Sequence, residues 1–341
     1  MPELTPELET LRFHGSGLNR PECVIAHGSG LLFAADWTDA GGVSIIDPAT
    51  GSVTRHLAKG HPFALKPNGI LLDDDASFLL THLGTTIEDG GVFRLHPDGT
   101  VSPVLTELNG APLPPTNFAA KDGKGRLYVT VSTRHIPRHT AARPGMRDGF
   151  VALLSPDGSA SIVADKLGYT NECIVSADGE TLFVNETFGR STAAFAIAED
   201  GTLGHYQPFA AYGDGIFPDG MALDDEGGLW IVSIVSNTVL RVAPGGKRTL
   251  VLQNRDSARV MEVERAFLSG RLDRSHLDAP HRGPLHNVSS LAFGGEDLRT
   301  VYLGCLLGES IASFESPIAG LRPAHYDVDL TPLSAAGLLP A

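Results

Sequence analysis

Six polar residues recur at one point of a repeating pattern: Glu22, Asn68, Asn117, Asn171, Asp219 and Asn287. Each stands before four or five mostly apolar residues, an Asp/Gly-rich turn and a second apolar run, as in "FPDGMALDDEGGLWIVS" from Phe217. The set holds two carboxylates and four amides, with no thiol and no imidazole. Oxygen donors of this kind suit a hard divalent cation. Two acids that share a site with amides resist burial unless a cation compensates them. The competing explanation is local, because Asn and Asp also bond nearby backbone where a strand begins.

The elements that must position these residues follow from the spacing. Successive intervals are 46, 49, 54, 48 and 68 residues, which implies six copies of a unit of close to 50 residues, the fifth interval being longer. Within a unit the chain continues with alternating runs such as "GGVSIIDPATGSVTRHL" and "TVLRVAPGGKRTLVL". Period-2 patterning broken by Gly, Pro and Asp turns signals antiparallel hairpins. Four strands per unit is the pattern of a propeller blade. The expectation is an all-β, six-bladed β-propeller of four-stranded antiparallel blades. It forms a single domain over 1–341, with motifs starting near 21, 67, 116, 170, 218 and 286. In a propeller the first strand of each blade lines the axis, so the six polar residues should converge at one mouth of the channel. The sixth unit is one strand short. The segment "LETLRFHG" at residues 8–15 is expected to supply its outer strand and close the ring.

Bulk properties narrow the function classes. The 341 residues carry a formal net charge of −14, which argues against nucleic-acid binding and against docking on anionic lipid. The 39 Gly and 23 Pro suit many short strands. Cys23, Cys173 and Cys305 are odd in number and lack metal-ligand spacing. They read as buried free thiols in a reducing compartment. No signal-peptide pattern or membrane-length apolar run is present, so a cytoplasmic protein is expected, acting on a small-molecule substrate. No G-x-S-x-G elbow, Walker A sequence or dinucleotide fingerprint is found. The sequence leaves the oligomeric state open.

The motifs "PECV", "KPNGILLD", "PTNFAAKDGKGRLYV", "YTNECIVSADGETLFVNET", "FPDGMALDDEGGLWI" and "LAFGGEDLRTVYL", in this order, carry a family resemblance. Over residues 15–315 the chain resembles the family that groups gluconolactonases, senescence marker protein and luciferin-regenerating enzyme. The resemblance implies one divalent cation (Ca, Mn, Fe or Zn) in the axial channel and hydrolysis of sugar lactones. It places the metal ligands on Glu22, Asn171 and Asp219, and a residue that contacts substrate or water on Asn117. One departure is visible. Members acting on sugar lactones commonly carry Arg two residues before the third-motif Asn, where this chain has Pro115. A family position for an acidic substrate contact falls near Arg134 and His135.

The resulting expectation is metal-assisted opening of a lactone, of a sugar or of a carboxylate-bearing ring. Asp219 would act as the base, with Asn117 orienting water or substrate, and Asn68, Asn287, Arg134 and His135 binding substrate. An isomerase or organophosphate-type hydrolase in the same channel, and a binding propeller without catalysis, are the alternatives. Two insertions read as lid segments. Residues 132–148 hold four Arg and two His before the first acid, Asp148. Residues 255–280 contain an amphipathic helix over 257–272, with Val260, Val263, Phe267 and Leu268 on its apolar side.

Overall fold

Alternating apolar residues dictate sheets that bury one face against the next sheet, and the chain solves this six times over. The computed structural model describes residues 6–84, 90–279 and 282–339. Six four-stranded antiparallel sheets form the blades of a β-propeller. Blade one comprises Val24–Ala26, Leu32–Asp36, Gly42–Ile46 and Val53–Leu57. The first strands of the next four blades are Pro67–Leu72, Thr116–Lys121, Thr170–Val175 and Phe217–Leu223. The first strand of blade six is Val288–Gly294, and its outermost strand is Arg12–His14, paired antiparallel with Ile311–Ser313. The N-terminal strand therefore closes the ring, within the segment expected from the sequence.

Large side chains fill the spaces between blades. Phe33 of blade one meets Phe78 of blade two with ring centroids 5.1 Å apart, and Trp230 of blade five meets Phe293 of blade six at 5.0 Å. Burying each such ring stabilises the fold by roughly 1.5–3 kcal/mol. Cys23, Cys173 and Cys305 are buried free thiols. Among the described residues no helix is long and apolar enough to cross a membrane.

Helix α1 (Ser257–Leu268) is capped by Asp256, whose carboxylate accepts from the Ala258 and Arg259 N–H groups. Val260, Val263 and Phe267 are buried, and the Phe267 ring stacks on Phe188 at 5.7 Å. Leu268 is 65% exposed and does not share that face, a correction to the expected apolar stripe. It is the last residue of the helix. The helix ends four residues before 272. A second short helix, α2 (Arg274–Leu277), follows, and residue 280 of this insertion lies outside the described residues.

The C-terminal segment crosses the ends of three first strands. Leu321 N–H bonds Leu223 C=O, the Tyr326 hydroxyl bonds Gly295 C=O, and Gly28 N–H bonds Tyr326 C=O. Helix α3 (Thr331–Ala335) then sets Leu333 into the core between blades one and two. This strap covers the axial end opposite to the one where the polar residues gather.

Candidate active site at the channel mouth

The polar residues owe their position to a repeated irregularity. In blades two to five the pairing of the first two strands shifts register at Asn68, Asn117, Asn171 and Asp219. A bulge re-aims the side chain at that point, and in each case it faces a cavity of about 340 Å³ at the mouth. Glu22, just before the first strand of blade one, faces the same cavity.

Blade six differs. Its register shift falls between Val288 and Ser290, so Ser289 occupies the bulge, not Asn287. Ser289 Oγ donates to Glu22 C=O at 2.7 Å. Asn287 has φ +57 and lies outside the strand and outside the cavity wall. Its Oδ1 accepts from Val235 N–H at 3.1 Å and its Nδ2 donates to Leu277 C=O at 2.6 Å. The expected substrate role of Asn287 is thus not supported by its position; the side chain ties blade five and α2 together.

Each channel amide is oriented by neighbours. Asn171 Nδ2 donates to Thr187 Oγ1 at 2.9 Å, and Thr187 in turn donates to Pro218 C=O at 2.8 Å. This leaves Asn171 Oδ1 buried without a partner. Asn117 Nδ2 donates to Ser132 Oγ at 3.1 Å, while its Oδ1 accepts from Asn68 Nδ2 at 3.3 Å. Asn68 Oδ1 is also buried without a partner. Two amide oxygens left bare in a buried site cost free energy unless something is bound there.

The acids behave differently from ordinary turn residues. Asp224, five positions after Asp219, accepts from Gly228 N–H, the Trp230 indole and the Arg241 guanidinium. The Asp219 carboxylate has no hydrogen bond among the described residues, yet Asp219 is only 4% exposed. Burial, then the charges of Glu22 and Glu172, hold its pKa well above the usual carboxylate range, with Arg20 and Arg138 pulling the other way. Glu22 is paired with Arg20 Nε at 2.9 Å, and that guanidinium lies 4.4 Å above the Trp37 ring. Glu172 points deeper, accepts from Met221 N–H at 3.0 Å, and is pushed up to about 8, chiefly by burial.

The walls come from both insertions. Ile136, Pro137, Arg138, His139 and Ala142 reach the cavity from the first, and Asp273, Arg274 and Leu277 from the second. Arg134 and His135 do not. Arg134 bonds Asp165 at 2.8 Å and lies over the Phe150 ring, and His135 sits 3.9 Å from Asp148. Arg138, three to four residues further along, lines the cavity where they do not. Sequence reasoning also missed Arg20, Lys66, Tyr169, Glu172 and Thr187. Of these, Arg20 had a signal, its place two residues before Glu22.

Among the described residues no three His, Cys, Asp or Glu side chains form a ligand cluster by themselves. An ion at this mouth would need the amides, and an all-oxygen set of two carboxylates with the bare Asn171 Oδ1 fits a hard divalent cation.

Residues 21–254 match the family model described as SMP-30/Gluconolactonase/LRE-like region. The chain belongs to this family. Among curated relatives of this SMP-30/gluconolactonase-like chain, a 6-deoxy-6-sulfogluconolactonase of Pseudomonas putida is 28% identical over 217 residues, 62% of each chain. The match thus spans less than two thirds of that relative. Among solved structures, a gluconolactonase of Xanthomonas campestris superposes with a TM-score of 0.65 at 21% identity, over 90% of this chain and 89% of that one. Regucalcin of Agrobacterium tumefaciens, a calcium-binding protein, gives 0.61 at 16% identity over 95% of each chain. At these identities the structural likenesses establish the shared fold.

Proposed function

We propose that the mouth cavity hydrolyses a lactone with the help of one divalent cation. The observation that carries this reading is the unpartnered, buried Asp219 carboxylate beside Glu22 and the bare Asn171 Oδ1. Lactonase relatives and a calcium-binding fold neighbour support it. Glu22, Asn171 and Asp219 would hold the cation, and Ca, Mn, Fe or Zn are each compatible with oxygen donors. When bound, such a cation supplies Lewis acidity toward a carbonyl oxygen and acidifies water.

The chain's own groups supply the remaining work. Asp219 accepts a proton from the attacking water as the new C–O bond forms. The acyl–oxygen bond of the ring then breaks, and the ring oxygen takes up that proton to become a hydroxyl. The product is a hydroxy acid, which ionises at neutral pH. Asn117, locked between Ser132 and Asn68, orients the ring or the water, and Asn68 Oδ1 accepts from a substrate hydroxyl. Trp37, Tyr169 and Phe188 give the cavity apolar walls that reduce competing water.

Acid release from a panel of five- and six-membered lactones, followed with a pH indicator, tests the reading. Turnover is expected in the wild type. Asp219→Asn and Glu22→Gln are expected to lower kcat/KM at least about 100-fold. A wild-type protein inert toward the whole panel in the presence of each cation would overturn it.

A further inference from the structure

Among the described residues four cations line the mouth cavity: Arg20, Lys66, Arg138 and Arg274. Arg20 is paired with Glu22 and Arg274 with Asp278. Lys66 Nζ lies 5.6 Å from the Trp37 ring centroid and has no carboxylate partner among the described residues. Arg138 has none either. Its Nε donates to the Tyr169 hydroxyl at 3.0 Å, and its Nη2 reaches Ser132 Oγ at 3.4 Å. Both partners are neutral.

This anchoring is unusual for its surroundings. Arg134 and Arg147 of the same insertion are paired with Asp165 and Glu186, and Arg143 is exposed to solvent. Arg138 is the arginine of the segment that turns into the cavity, and among the described residues no carboxylate makes an ion pair with it, Glu22 and Asp219 acting on it only through space. A guanidinium has five N–H donors in a planar fork that matches an oxyanion bidentately. Tyr169 and Ser132 take two of them and fix the plane, and Nη1 has no partner among the described residues. An arginine placed only to neutralise the acidic floor would pair with it, as Arg20 does. A half-buried cation held by hydroxyls instead is costly unless a ligand completes it.

We propose that Arg138, assisted by Lys66, forms a subsite for an oxyanion substituent on the ring substrate, so that the cavity selects acidic lactones over neutral ones. The proposal rests on the lactonase reading for its substrate, but the subsite itself is testable without turnover. The floor groups Glu22, Asn171 and Asp219 are taken up by the proposed cation and the ring carbonyl, so the substituent lies on the Arg138 wall. A carboxylate and a sulfonate share the required chemistry.

Binding of three non-hydrolysable rings distinguishes the possibilities: tetrahydropyran-2-carboxylate, tetrahydropyran-2-methanesulfonate and tetrahydropyran-2-methanol. Affinities are read by ligand-observed NMR titration on the full chain. At least one anionic ring is expected to bind about tenfold or more tightly than the alcohol, and which one does identifies the group. Arg138→Met is expected to abolish that preference, and Arg138→Lys to restore part of it, since Lys keeps the charge but not the fork. Melting temperatures of the variants report whether the fold survives. The kinetic counterpart is the ratio of kcat/KM for galactaro-1,4-lactone over galactono-1,4-lactone, which differ in a carboxylate at one carbon. That ratio is expected to exceed one in the wild type and to collapse in Arg138→Met. Equal affinity for all three rings, no measurable binding of any, or a preference that survives in a folded Arg138→Met would overturn the proposal. A preference lost in Lys66→Met alone would overturn the assignment to Arg138. Anion-selective binding without turnover of any lactone would retain the subsite and reject the lactonase reading.

Discussion

Two aspartates five positions apart show how little residue type says on its own. Asp224 has four donors around its carboxylate, whereas Asp219 has none among the described residues and is buried among other acids. Only the second is left with unmet chemistry. The same contrast holds for the asparagines. Asn287 accepts from Val235 N–H and donates to Leu277 C=O, which Arg259 Nη2 also reaches, so Asn287→Ala orphans the buried Val235 N–H. It is expected to cost about 1–3 kcal/mol in denaturant unfolding. Asn68 leaves its Oδ1 bare and makes one long bond, from Nδ2 to Asn117 Oδ1 at 3.3 Å, so Asn68→Ala is expected to cost about 1 kcal/mol or less. Equal costs would contradict the division into structural and cavity-facing amides. The sequence showed five of the six polar positions that face or flank the mouth. It misplaced Asn287 because Ser289, at the bulge, resembles any other strand serine, and the Asn–Val–Ser order imitates the motif two residues too early.

Among the elements, the strands were legible and the insertions only partly so. Period-2 alternation and Gly/Asp turns repeat six times and mark each blade. The closing strand Arg12–His14 was legible by subtraction, since blade six lacked a fourth strand. Deleting residues 1–15 is expected to expose the Ile311–Ser313 edge, to lower the melting temperature by about 5 °C and to promote association visible in light scattering. An unchanged melting temperature would show that the strand adds little to the ring. Within residues 132–148 the positive charge was evident, but which arginine turns inward depends on how the chain folds back. Arg134 is captured by Asp165 of the neighbouring strand, a long-range contact that no local pattern announces.

The C-terminal strap gives the fold a pH dependence. Burial depresses His325 to about 4, and its Nε2 is buried without a partner, so the folded chain favours the neutral ring. The unfolded chain takes up the proton near pH 6.5. Stability from this group is therefore complete above about pH 6.5 and is lost as pH falls through about 4. Unfolding free energies measured over that window should fall on acidification, and His325→Phe should flatten the slope. An equal slope in the variant would assign the acid sensitivity to other groups.

At the scale of the whole molecule, the ring gathers residues from distant parts of the chain at one mouth, while the strap covers the other end. Glu22, Asn171 and Asp219 come from blades one, four and five. Their convergence follows from six repeats closing on themselves, which is why spacing alone could anticipate it. The central claim is that this convergence makes a cation site. Elemental mass spectrometry, after equilibration with Ca, Mn, Fe or Zn and removal of free ion, tests it on the wild type, Glu22→Gln and Asp219→Asn. The expected result is about one divalent ion per wild-type chain, with the ratio falling at least about tenfold in both variants. No bound ion in the wild type, or undiminished binding in both variants, would contradict the claim and leave Asp219 as a buried acid without a partner.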